Sequence, residues 1–183
     1  MLYDEIYGYG CLLSEEDRKN LCENNAEFVE ISSIIRDYEK CVWLQKKYFC
    51  RQEWINEEDP EFREAYYVYD SKLADENKKF MSQWPEKKEK LAARLKKNRF
   101  LTSGGRKRVE DDLKYGEVMF GELSDFYATN EKFNKLEEIL KANGARSLSG
   151  NILGDHIREM YKKRQQIVEA FMQEKEQNAV QPE

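Results

Sequence analysis

Ten basic side chains gathered between residues 86 and 108 are the group in this chain best suited to chemistry, and that chemistry is the recognition of negative charge. Lys87, Lys88, Lys90, Arg94, Lys96, Lys97, Arg99, Arg106, Lys107 and Arg108 stand against Glu86 and Glu89 alone, a net +8 in a chain whose total is −5. Everything outside the stretch therefore sums to −13. A concentrated patch sets up a local field that the net charge conceals. At about 100° per residue, Lys87, Lys90, Arg94 and Lys97 fall within about 80° of one another on a helix, with Leu91 and Leu95 beside them. That is the geometry of a surface helix docked by two leucines. Lys87, Lys90, Arg94, Lys97, Arg99, Arg106, Lys107 and Arg108 are accordingly the candidate binding residues. Nucleic-acid phosphate is one ligand for them, and an acidic protein surface is another. A third reading is internal, since residues 1–64 carry sixteen acids and eight bases that the patch could answer.

Catalytic machinery is sparse by comparison. The only histidine is His156, and the residue three before it is Leu153, so the Glu-x-x-His of a carboxylate-bridged di-iron bundle is absent. Zinc sites need clustered cysteine and histidine, whereas Cys11, Cys22, Cys41 and Cys50 are scattered and show no CxxC spacing. On one helix Cys41 and Cys50 would point to opposite faces, which suits reduced, partly buried thiols. GxSxG and GxxxxGK[ST] do not occur, and Gly8 and Gly10 lack the third glycine of a GxGxxG, Leu13 standing there. Asp111, Asp112 and Lys114 have the types of a nuclease-like acid and lysine set, but read more simply as the exposed first turns of a helix, where acids suit the dipole. His156, beside Asp155, reads as a helix-surface or half-buried residue. No catalytic, cofactor or metal residue is assigned, and a carboxylate-metal enzyme is the remaining enzymatic alternative.

The elements that must carry the bases are helical. Ser14 followed by Glu15, Glu16 and Asp17 has a capping hydroxyl and acids in the first turn, and that helix should stop near Asn24 and Asn25. Phe28, Ile31, Ile35, Tyr38, Val42, Gln45 and Phe49 then recur at steps of three and four, predicting a long helix to about Ile55. Asp59 and Pro60 suit the cap and first position of the next helix, whose stripe is Phe62, Tyr66, Tyr69, Leu73, Phe80 and Trp84, interrupted by Glu76 and Asn77. A short connection between two such helices predicts an antiparallel hairpin. Pro85 should kink or restart the chain. The basic helix is expected from about Glu86 to Phe100, and Thr102-Ser103-Gly104-Gly105 reads as a loop. Further stripes follow at Leu113, Gly116, Phe120, Leu123 and Tyr127, then at Phe133, Leu136 and Leu140, ended by Asn143-Gly144. The last helix carries Leu153, Ile157, Met160, Arg164, Ile167 or Val168, and Phe171, with fraying expected after about Lys175.

The expected fold is therefore all-α, a long coiled-coil-like antiparallel hairpin plus a C-terminal helical lobe. Residues 1–84 form the hairpin region, 85–108 the basic helix and glycine loop, and 109–183 the lobe, with a frayed tail from about 176. Seven valines, nine isoleucines and two threonines leave little for a large sheet. Aromatic residues at 13% supply area for a core despite 37% charged residues. No stretch reaches the roughly 20 apolar residues that span a bilayer, and the opening MLYDEIYGYG is unlike a signal peptide, so a cytoplasmic location is expected. The charge segregation suits a non-enzymatic protein that binds a macromolecule, in particular a regulator or inhibitor docking on a nucleic-acid-processing protein complex. The alternatives are direct DNA or RNA binding through 86–108, and a coiled-coil adaptor that meets another helix or its own copy as a homodimer. A helix-turn-helix over Leu136 to Ile157 is a weaker nucleic-acid reading, since its loop is long and Arg164 falls on the apolar stripe.

Overall fold

The computed structural model describes residues 13–55, 64–97 and 102–180. Within them lie five helices and one two-stranded sheet: α1 (Glu15–Asn24), α2 (Ala26–Phe49), β1 (Cys50–Ile55), β2 (Glu64–Tyr69), α3 (Ser71–Lys97), α4 (Ser103–Ala142) and α5 (Ile152–Val180). The class is all-α with a small sheet. The chain divides into two compact units, Met1–Lys40 with Glu131–Glu183, and Cys41–Asn130.

In the first unit the helix ends follow their local chemistry. Ser14 caps α1, its hydroxyl accepting from the Asp17 amide at 3.1 Å, and the Asn25 side chain accepts from the Phe28 amide at 2.8 Å at the start of α2. Leu13, Leu21, Phe28 and Val168 are buried together, with Ile167, Phe171 and Met172 packed on them. Tyr38 meets Phe133 edge to face at 5.5 Å. Arg164 is buried on the α5 stripe, stacked over the Tyr161 ring. Gly144, at φ 81°, closes α4: the amides of Gly144 and Ala145 donate back to the carbonyls of Lys141 and Leu140, the two-bond cap that a left-handed glycine permits. The last helix runs to Val180, past the expected onset of fraying.

The second unit departs from the expected hairpin of two directly connected helices. The long helix stops at Phe49, and residues 50–55 pair antiparallel with 64–69, Cys50 opposite Tyr69 and Ile55 opposite Glu64. Tyr66, Tyr67, Val68, Tyr69, Trp54 and Ile55 are β-branched or aromatic residues, which favour strands, and a three-residue step between Tyr66 and Tyr69 is too short to prove a helix. The expected cap at Asp59 and Pro60 lies outside the described residues. At the junction, Asn77 is buried and donates from Nδ2 to the Tyr48 carbonyl at 2.6 Å. The polar residue that interrupts the stripe thus satisfies a helix-end carbonyl that α2 leaves unpaired.

The expected restart at Pro85 and the expected glycine loop do not appear. Helix α3 passes through Pro85 without ending. Pro85 is exposed, the setting in which the lost amide bond costs least because solvent can satisfy the carbonyl four residues back. The glycine pair belongs to the first turn of α4, not to a loop. There Thr102 acts as cap, its Oγ1 accepting from the Gly105 amide at 3.2 Å and its carbonyl from the Arg106 amide at 2.9 Å. First-turn amides need no intrahelical partner, so glycine is tolerated at that position.

Helices α3 and α4 are joined by five residues and run back along each other. The Trp84 ring packs on the backbone of Gly116, and Lys88 Nζ lies 2.7 Å from Glu117 Oε1. Phe49 of α2 stacks on Phe126 of α4, centroids 4.5 Å apart. Lys47 and Tyr48 both donate to the Glu122 carboxylate, the lysine at 2.6 Å. Burial opposes the charge on Lys47, but the bonds to Glu122 and Tyr48 outweigh it and hold its pKa above the ordinary value. Leu44, Phe49, Ala74, Trp84, Val109, Leu123 and Phe126 form the buried interior.

Candidate binding surfaces

The basic residues converge because α3 ends where α4 begins. Lys87, Lys90, Arg94 and Lys97 lie on the last turns of α3, and Arg106, Lys107 and Arg108 on the first turns of α4, all of them exposed. Arg99 lies outside the described residues. Leu91, Ala92 and Leu95 are half-buried and Val109 is buried, so both helices turn an apolar strip inward and their bases outward.

Among the described residues of the patch, Lys88 alone pairs across the fold, with Glu117. Lys90 pairs with Glu86 at 2.5 Å and Arg106 with Glu110 at 3.1 Å, each within its own helix. The Lys90 bond holds the Glu86 carboxyl below its ordinary value. Exposed pairs of this spacing contribute little to stability and leave the surrounding field largely in place. Lys87, Arg94, Lys96, Lys97, Lys107 and Arg108 make no ion pair among the described residues. Counted over those residues alone, nine bases and two acids leave +7 at this end of the α3–α4 pair.

A second surface was not foreseen in the sequence. Opposed residues of an antiparallel pair share a face, so Cys50, Gln52, Trp54, Ala65, Tyr67 and Tyr69 form one face of the sheet. Arg51, Glu53, Ile55, Glu64, Tyr66 and Val68 form the other. Trp54, Ile55, Tyr66, Tyr67, Val68 and Tyr69 are all exposed, Tyr69 at 59%. On the second face Glu53 accepts from Arg51 Nη2 at 2.5 Å and from the Tyr66 hydroxyl at 2.5 Å. These bonds, the tyrosine's first, hold the Glu53 carboxyl below its ordinary value and push the Tyr66 phenol up. On the first face Lys46 Nζ sits 5.3 Å from the centre of the Tyr67 ring. The available signal was the run Tyr66-Tyr67-Val68-Tyr69, which a helical stripe absorbed.

The remaining candidates from the sequence are not brought together. Asp111 and Asp112 are exposed on α4, and because that helix begins at Ser103 they lie beyond its first turn, where the dipole does not explain them. His156 is half-buried on α5 and lines a shallow recess of about 330 Å³ with Leu140, Arg146 and Asp155 among others. In that recess Arg158 is engaged by Asp155 and Lys162 by Glu159. Among the described residues no three His, Cys, Asp or Glu side chains cluster in a way that could hold a metal ion. Comparison with protein-family models, curated proteins and solved structures finds no match.

Proposed function

We propose that this chain is a non-enzymatic helical protein that binds a macromolecule, and that it docks on a nucleic-acid-processing protein complex as a regulator or inhibitor of it. The observation that carries this reading is the convergence of exposed, mostly uncommitted bases at one end of the α3–α4 pair in a protein of net −5. Such a field favours encounter with an extended negative surface. A nucleoprotein assembly offers that surface as phosphate and as acidic protein side chains together. No helix among the described residues is long and apolar enough to cross a membrane, which accords with action in the cytoplasm.

Direct DNA or RNA binding is the second reading, and the same bases favour it, since each neutralised phosphate releases counterions. Affinity capture from the native host, with and without nuclease, separates the two. A nucleic-acid-processing complex retained after nuclease supports docking on protein. Loss of all partners on nuclease treatment transfers the reading to direct nucleic-acid binding. Recovery of the chain's own copies alone makes it a self-associating adaptor.

A further inference from the structure

We infer that Ser149, in the connector between α4 and α5, is the acceptor site for an arginine-directed serine/threonine protein kinase, with Arg146 as the residue that such a kinase reads. This does not rest on the basic end. Ser149 belongs to the first compact unit, and the bases belong to the second.

A kinase takes its substrate as a stretch of chain laid in a cleft, so the hydroxyl it modifies must stand outside regular structure and clear of the fold. The chain has nine serines and two threonines, all among the described residues. Seven of these lie within α2, α3 and α4. Ser14 and Thr102 are committed as the caps of α1 and α4. Ser147 is half-buried, which leaves Ser149, exposed in a segment without helix or strand. Leu148 beside it is fully exposed, so the segment stands away from the helices it joins. The Ser149 hydroxyl pairs with that of Ser147 at 3.0 Å and accepts from the Asn151 amide at 3.4 Å. Both contacts are on the surface, where water replaces them at small cost.

The charge pattern selects the same residue. Arg146 stands three positions before Ser149, is exposed, and makes no ion pair among the described residues. Carboxylates read a guanidinium through two parallel bonds, and charge patterns of this kind discriminate kinase substrates. From Leu140 to Ile152 the chain has no acid of its own to compete for Arg146. Asp155, which lines the same recess as Arg146, is engaged by Arg158. Arg99 likewise stands three positions before Thr102, which makes the α4 cap the competing acceptor.

In the transfer, Ser149 Oγ attacks the γ-phosphorus of ATP. The Oγ–P bond forms as the bond to the β-phosphate oxygen breaks, ADP leaves, and the hydroxyl proton passes to the base of the kinase. The product carries about −1.5 to −2 charge at neutral pH. It stands two residues before Asn151, whose side chain caps α5 by accepting from the Gly154 amide at 2.8 Å. Negative charge is favoured near the positive end of a helix, so the phosphorylated protein should stay folded and melt no lower than before.

The test uses the full chain, magnesium ATP and calmodulin-dependent protein kinase, which selects arginine at this spacing, with an acid-directed kinase as the comparison. Mass spectrometry maps the phosphate, which is expected on Ser149 with the first kinase and absent with the second. Arg146→Ala should lower the initial rate about tenfold or more, the worth of one charge-assisted contact, with circular dichroism unchanged. Ser147→Ala and Thr102→Asn, the latter keeping a capping side chain, should leave the Ser149 rate as it is. No phosphate on the wild type, or phosphate on Thr102 or another hydroxyl in place of Ser149, would overturn the inference. Equal rates for wild type and a folded Arg146→Ala would overturn it as well, and so would equal modification by the two kinases.

Discussion

The indole of Trp84 fills the space beside Gly116 so fully that a Cβ built there would lie 1.9 Å from Cη2 and 2.2 Å from Cζ3. Helix α4 therefore approaches α3 through bare backbone at this point. Both are long helices whose ends carry the proposed binding residues, so the contact that sets their spacing also sets the shape of the basic end.

Gly116→Ala should lower the melting temperature, although alanine is ordinarily about 1 kcal/mol better than glycine in a helix. Overpacking of a filled interior costs about 1–3 kcal/mol, enough to reverse the sign. Gly121, whose added Cβ would meet nothing within 4 Å on the same helix, is the control. Gly121→Ala should stabilise. Thermal melts in which both alanines stabilise alike would show that the indole is free to move aside.

Asn77→Ala should destabilise by about 1–3 kcal/mol, since the Tyr48 carbonyl loses the amide that satisfies it in a buried setting. Hydrogen exchange gives the more local measure. Amides at the end of α2 and the start of β1 should lose protection well before those of α5, and uniform loss would place the role of Asn77 elsewhere.

Acid sensitivity should centre on Asp17. Lys175 Nζ lies 2.6 Å and 2.8 Å from its two carboxylate oxygens and the Ser14 hydroxyl donates to it at 2.7 Å, which together hold its carboxyl below the ordinary value. A depressed folded pKa contributes stability that is fully present above the unfolded value, and that is lost as pH falls through the folded one. Asp17→Asn should accordingly melt lower than wild type at neutral pH, with the gap closing below about pH 4, the ordinary range for aspartate. A gap of the same size across the titration would contradict this.

Much of the helical framework is legible in the sequence, because side-chain period and capping residues act locally. Ser14, Asn25 and Gly144 each terminate a helix as their chemistry implies, and Ile35 and Phe49 are buried as the α2 stripe requires. The sequence misleads where a residue's setting in the fold overrides its local preference. Pro85 and Gly104-Gly105 look like breaks when read alone, yet an exposed face and a first turn accommodate them. Cys41 and Leu44 are buried where the stripe predicts Val42 and Gln45, in the part of α2 that belongs to the second compact unit. The basic residues were legible as a group, since charge is additive along a sequence. That Arg106, Lys107 and Arg108 stand at the same end as Lys97 depends on the antiparallel return of α4. The aromatic sheet was hidden because Tyr66 and Tyr69 fit a helical step as well as a strand.

The most direct test of the proposed docking is parallel affinity capture from the native host by the wild type and by a variant with Lys90, Arg94 and Lys97 reversed to glutamate. Exposed substitutions of this kind usually change stability by less than about 0.5 kcal/mol each, so the variant should show the same helical spectrum and melt close to wild type. The account predicts that the wild type retains a nucleic-acid-processing complex after nuclease treatment, and that the folded variant retains little or none of it. Equal recovery of every partner by the two proteins would contradict the account, and would leave the bases at the end of α3 and α4 as a solvated face.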